Sequence, residues 1–197
     1  MSAADLPPVR VIRSRTVVLA ADDVDTDQII PARFLTTTQS DGFGDALFAD
    51  WRTDAAGRQR PEFALNQPQA AGAQILVAGR NFGCGSSREH AAWALRDFGI
   101  RAIVAASFAD IFRSNALKNG LLPVVASTPV LAWLTERSGL EVTIDLEAAL
   151  LYLPGREPVA FAVDAFARYR LLHGIDELSF LLSKSAAIDG FEREHGA

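Results

Sequence analysis

Hydrophobic and polar positions alternate loosely over residues 11–16 and turn fully apolar at Val17-Val18-Leu19-Ala20, which predicts a strand. Residues 21–28 are acidic and polar and predict a loop. Residues 52–73 are rich in Arg, Gln, Ala, Pro and Gly. They predict a long surface excursion and not a domain linker, because neither flank is large enough to fold alone. Gln74–Gly79 is a short apolar run ending in glycine, the form of a buried parallel strand. Beyond the glycine-rich residues 80–86 a helical pattern starts at Ser87. Ala91, Ala94, Leu95 and Phe98 fall on one face, and Gly99 stops the helix. Arg101–Ala106 predicts a strand, Ala109–Lys118 a helix ending at Asn119-Gly120, and Leu121–Ala126 a further strand. Alternation of this kind is the sequence form of a parallel α/β sheet. Glu141–Leu146, Leu150–Leu153 and Val159–Val163 predict an antiparallel meander with turns at Glu147-Ala148 and Pro154-Gly155-Arg156. Gly174–Glu194 predicts a closing amphipathic helix. The expected class is α/β, with a parallel core sheet and a smaller antiparallel layer, in one domain spanning 1–197.

Composition narrows the function classes. The chain has 197 residues, 49% hydrophobic and 22% charged, as in an ordinary globular protein. Nineteen basic against 24 acidic residues give a net charge of −5, spread over both halves. A nucleic-acid or membrane-binding surface has no compositional support, and no apolar run is long enough to span a bilayer. Cys84 is the one cysteine, so neither an internal disulfide nor a thiolate-held zinc or iron–sulfur site can be built by this chain alone. No metal site is expected. The first residues lack a basic region followed by an apolar core, and a cytoplasmic location is expected.

Chemistry concentrates in Gly79-Arg80-Asn81-Phe82-Gly83-Cys84-Gly85-Ser86-Ser87-Arg88-Glu89-His90. It lies between a buried strand and a helix, at the sheet edge where α/β ligand sites form. Gly83 and Gly85 permit close backbone approach or positive φ. Amides at a helix N-terminus attract anions. A cation there, Arg88, is mildly unfavourable unless an anion binds beside it, and its planar fork suits a carboxylate or phosphate. Ser86-Ser87-Arg88-Glu89 also has the form of a capping box with Ser86 as cap. Phosphate-loop and nucleophile-elbow patterns are absent. Cys84 fits a buried small residue better than a nucleophile, and His90 fits a supporting hydrogen-bonder as well as a catalyst.

A second segment runs from Asp22 to Leu35. Asp22, Asp23, Asp25 and Asp27 suggest a metal, but a calcium loop counted from Asp23 needs glycine at Gln28 and glutamate at Phe34. Aspartates such as Asp25 and Asp27 instead cap turns or orient an arginine. Arg33 beside Phe34 and Leu35 would suit a substrate with both a carboxylate and a hydrocarbon branch.

Asp23–Pro31 and Asn81–Ala91 together resemble the two signatures of the small-subunit family of 3-isopropylmalate dehydratase, in the aconitase superfamily. Gly42-Phe43-Gly44, Asp50-Trp51-Arg52 and Ser107–Phe112 resemble its bacterial form, and the likeness runs from about residue 10 to residue 190. The resemblance implies the swivelling β/β/α fold of the aconitase C-terminal domain. It also implies a hydro-lyase isomerising 2-isopropylmalate to 3-isopropylmalate through 2-isopropylmaleate, in leucine biosynthesis. The [4Fe–4S] cluster is then expected on a separate large subunit, without which the chain is inactive. By the same resemblance Ser86 is the base and Arg88 binds substrate carboxylate. Ser87, Arg33, Phe34 and Leu35 meet the substrate, and Gly83, Gly85, His90, Asp25 and Asp27 support them. Sister hydro-lyases acting on homoaconitate or methylated malates share the serine signature. A non-catalytic carboxylate-binding module would keep Arg88 and the glycines without needing Ser86.

Overall fold

The computed structural model describes residues 7–35 and 42–196. Its sheet is built on β1 (Val11–Leu19), which serves two different neighbours along its length. Thr16–Leu19 pair in parallel with Ile75–Ala78 of β2, while Val11–Arg15 pair antiparallel with Asp145–Glu141 of β5. Burial follows the same division. Alternate side chains are buried in the first half, and nearly all are covered in the second. That is the contrast between a half-solvated antiparallel ladder and a parallel one covered on both faces. The change of pattern at Val17 therefore records a change of partner.

Among the described residues the strand order is β4-β3-β2-β1-β5-β6-β7, with β3 at Ala102–Ala105, β4 at Leu122–Val125, β6 at Leu150–Tyr152 and β7 at Val159–Ala160. The first four run in parallel and the last three are antiparallel. The expected α/β class and both kinds of pairing are present. The antiparallel strands continue the parallel sheet through β1.

Side-chain alternation splits the core between the two faces. Leu76 and Ala78 face Ala91, Ala94 and Leu95 of α3 (Glu89–Phe98), together with Phe82 and Phe112. Ile75 and Val77 face Val130 and Leu134 of α5 (Thr128–Thr135). Helix α3 ends at Gly99 with φ +108, as its sequence requires. Helix α4 occupies Asp110–Lys118.

Some elements escaped the sequence pattern. Helix α1 (Thr26–Ile29) begins within the expected acidic loop and runs one residue past it, and α2 occupies Ala49–Arg52. The pattern also passed over α5, whose short apolar run lacks a clear stripe, and α6 (Ala165–His173), which Asp164 caps through its bond from Ala167 N–H at 2.8 Å. The single helix expected over Gly174–Glu194 is two, α7 (Glu177–Leu182) and α8 (Ser185–His195). Residues 52–73 are more than a surface excursion. Leu65, Ala70 and Ala73 are buried in the core, and Phe63 packs on Phe48 and Trp51. No helix of the described residues is long and apolar enough to cross a membrane.

Candidate active site

Because β1 and β2 are parallel neighbours, the loops leaving their carboxyl ends emerge side by side. They continue to pair after the strands stop. Asp23 N–H donates to the Arg80 carbonyl at 2.9 Å, Gly83 N–H to Val24 at 2.7 Å, and Thr26 N–H to Cys84 at 2.9 Å. The β3 loop joins the other side, where Phe82 N–H reaches the Ser107 carbonyl and Ala109 N–H reaches the Phe82 carbonyl, both at 3.0 Å. The glycine-rich loop thus runs between two others at the carboxyl edge of the parallel sheet, where α/β folds place their ligands. Arg80 adds ion pairs to Asp22 at 3.1 Å and Asp23 at 2.8 Å.

Two glycines have steric reasons. Gly83 has φ +78, and a Cβ there would stand 2.1 Å from Cγ of buried Phe112. Gly85 has φ +88, with the Asp25 Cβ only 3.3 Å from where its own would lie. The left-handed turn at Gly85 sends the chain out through Ser86 and Ser87, which are exposed.

The capping box expected at Ser86 is not formed. Helix α3 starts at Glu89, with Arg88 in the cap position and no side-chain cap bond. Glu89 accepts from Asn119 Nδ2 at 2.9 Å. Arg88, in the cap position, has extended backbone, so Ser86 lies two residues before the cap, where Thr26 Oγ donates to its carbonyl at 2.9 Å. A capping box does occur, on α1. Asp25 Oδ1 accepts from Gln28 N–H at 2.8 Å, and Gln28 Oε1 accepts from Asp25 N–H at 2.9 Å. This box sets Asp27 facing the second loop, where its carboxylate accepts from Arg88 Nη1. The Arg88 side chain is 17% exposed. Arg88 therefore sits at the positive end of α3 with its charge answered by the other signature segment.

His90 is half-buried between aromatic rings, 5.3 Å from Phe43 edge-on and 4.6 Å from Trp93. Burial first, then the carboxylates of Asp25 and Asp23, push the Cys84 thiol up from its ordinary value. Its Sγ donates to the Asp23 carbonyl at 3.2 Å. That is a protonated spacer, as expected for a small part-buried residue, and no activated nucleophile.

Arg33, Phe34 and Leu35 follow α1 in and just after a 3₁₀ turn at Ala32–Phe34. Phe34 and Leu35 are half-buried against the core. Arg33 forms a two-pronged ion pair with Asp50, at 3.1 Å and 2.5 Å. Sequence reasoning missed Thr26 and the pairing role of Asp50. The Asp50-Trp51-Arg52 run offered a signal for the second, but nothing local marks Thr26, whose partner lies 60 residues away. Among the described residues no three His, Cys, Asp or Glu side chains gather as metal ligands.

The sequence profile of the aconitase C-terminal domain matches residues 10–129. The 3-isopropylmalate dehydratase small subunit of Anaeromyxobacter dehalogenans (strain 2CP-C) is 57% identical over 187 residues, covering 95% of this chain and 98% of that one. The small subunit of Chloroflexus aurantiacus (strain J-10-fl) is 52% identical, covering 96% of each. In structure, the crystal structure of 3-isopropylmalate dehydratase from Methanocaldococcus jannaschii superposes with a TM-score of 0.68 at 31% identity, covering 91% of this chain and 98% of that one.

Proposed function

This chain belongs to the small-subunit family of 3-isopropylmalate dehydratase, within the aconitase C-terminal domain family, and we propose that it supplies the proton-abstracting and carboxylate-holding half of that hydro-lyase. The reaction isomerises 2-isopropylmalate to 3-isopropylmalate in leucine biosynthesis, in the cytoplasm, with an iron–sulfur large subunit as partner. The observation carrying this reading is the freedom of Ser86. Its segment is anchored by Thr26 and its helix starts without it, so its hydroxyl is exposed and makes no hydrogen bond among the described residues.

Ser86, as the alkoxide, takes a proton from the substrate carbon next to a carboxylate. The electron pair of that C–H bond becomes the carbon–carbon double bond, the hydroxyl leaves the neighbouring carbon as hydroxide, and 2-isopropylmaleate results; the proton on Ser86 and the hydroxide together make up the water lost. Water then adds with the opposite placement of proton and hydroxyl. A serine works as a base only where its oxyanion is stabilised. The guanidinium of Arg88 and the free amides at the start of α3 supply positive potential there. Among the described residues only Nη1 of Arg88 is engaged, by Asp27. Its remaining donors are left for a substrate carboxylate, with Ser87 beside it. Phe34 and Leu35 offer apolar surface to the isopropyl branch, and Arg33 borders that end of the site. His90 and the glycines hold the frame.

The residues of this chain do not fit an iron–sulfur cluster. Cys84 is its one cysteine, and its thiol is held protonated. In this reading the cluster belongs to the large subunit.

The test is reconstitution. The purified chain alone should neither bind iron nor form 2-isopropylmaleate. Mixed anaerobically with the large subunit from the same genome, it should give absorbance of the unsaturated intermediate. Turnover by the isolated chain, or none in the assembled complex, would refute the reading.

A further inference from the structure

We propose that Asp50 is a specificity-determining residue: by neutralising Arg33 it keeps the branch end of the site from acting as a carboxylate receptor, so that a hydrocarbon-branched malate is preferred over one with an acidic arm. The inference rests on the function proposed above and concerns the same site. Arg33 stands directly before Phe34 and Leu35, and its guanidinium lies over the Phe34 ring, 4.7 Å from the centroid. A free cation in that position would recruit any substrate carrying a third carboxylate, because guanidinium binds carboxylate through two parallel bonds. Asp50 already occupies that fork with both oxygens, at 3.1 Å and 2.5 Å. Discrimination of this kind works by removing an attraction for the wrong ligand and adding a repulsion against it.

The pair is positioned from both sides by structure that does not depend on it. Asp50 is the second residue of α2, whose Ala49 is buried and whose Trp51 stacks on buried Phe48 at 5.7 Å. Phe48 N–H donates to the Ile29 carbonyl at 2.8 Å, tying α2 to the end of α1. Arg33 follows that end within one 3₁₀ turn. The hydrogen bonds from Arg33 hold the Asp50 carboxyl below the usual carboxylate range, so it is charged throughout the neutral range. Both side chains are more than half exposed in this chain, at 55% and 57%. An exposed pair contributes about 0–1 kcal/mol to stability, toward the upper end where the geometry is bidentate as here, and a role in stability alone would not move a ratio of substrates.

The experiment uses the assembled two-subunit enzyme. Initial rates are measured for 2-isopropylmalate and for a malate whose arm is carboxyethyl, and the ratio of their kcat/KM values is read. In Asp50→Asn the ratio should move toward the acidic-arm substrate by about tenfold or more, the low end of what a hydrogen bond to a charged group contributes. Adding Arg33→Gln to Asp50→Asn should return most of that shift, which a merely structural role of Asp50 would not do. Asp50→Ala removes the same charge and gives the same reading if the asparagine variant fails to assemble. A ratio unchanged in an assembled, active Asp50 variant overturns the proposal, as does a shift that persists without Arg33. Failure of the parent enzyme to act on 2-isopropylmalate at all would count instead against the function proposed above.

Discussion

Thr26 Oγ donates to the carbonyl oxygen of Ser86 at 2.9 Å, across 60 residues of chain. Thr26 is 1% exposed, and its own N–H donates to the Cys84 carbonyl at 2.9 Å. One buried threonine thus holds the glycine-rich loop at two points and fixes Ser86 through its backbone. Among the described residues the Ser86 hydroxyl makes no hydrogen bond.

Replacement of Ser86 should therefore separate stability from activity. A serine serving as helix cap would cost about 0.5–2 kcal/mol on mutation to alanine. Since α3 takes no side-chain cap from Ser86, we expect both Ser86→Ala and Ser86→Gly to unfold within about 0.5 kcal/mol of the parent, the range of ordinary surface changes. Loss of a general base should lower turnover by about 10²–10⁴-fold. Solvent deuterium exchange into the substrate, followed in the assembled complex, reads the step directly. Normal exchange in Ser86→Gly would remove Ser86 from the role.

Arg88→Lys keeps a positive charge but replaces a planar fork with a point charge. It cannot hold Asp27 and a substrate carboxylate together in the same geometry. The expected result is a fall in kcat/KM of at least about tenfold, with a chain melting close to the parent. Kinetics like the parent's in a folded Arg88→Lys complex would make Arg88 a structural partner of Asp27 alone.

Gly83→Ala tests the close approach beneath the loop. A methyl group there would meet the Phe112 ring at 2.1 Å on a backbone with φ +78. Overpacking and left-handed strain add, and we expect a loss of about 2–4 kcal/mol in denaturant unfolding. Gly99 has φ +108 with nothing within 4 Å, so Gly99→Ala should show the backbone cost alone, about 1–2 kcal/mol. Equal losses at both positions would mean that Phe112 yields freely.

Cys84 gives a pH prediction. Its thiol is pushed up, first by burial and then by Asp25 and Asp23. A raised value means less thiolate at neutral pH, so its reaction with a disulfide reagent should be slower than that of a free thiol of pKa about 8.5. The rate should rise only at higher pH than for glutathione measured alongside. A rate profile with its midpoint at or below that of glutathione would contradict the assigned environment.

The sequence by itself determined the strand alternation and the chain's inability to hold a cluster. It also singled out the segment proposed to be catalytic, because period-two burial, a cysteine count and a dense polar motif are local properties. The break of β1 into alternating and continuous halves was legible too, although its cause, two different partner strands, was not. Only the tertiary structure decided which residue caps which helix. The box proposed at Ser86 and Glu89 matches its sequence pattern as well as the real one at Asp25 and Gln28. The outcome turned on Thr26 and Asn119, which reach Ser86 and Glu89 from distant positions. The pairing of Arg33 with Asp50 was decided in the same way, by the packing of α2 against α1. Hydrogen bonds between loops that parallel strands bring together have no period in the chain, and so the fold alone selects them.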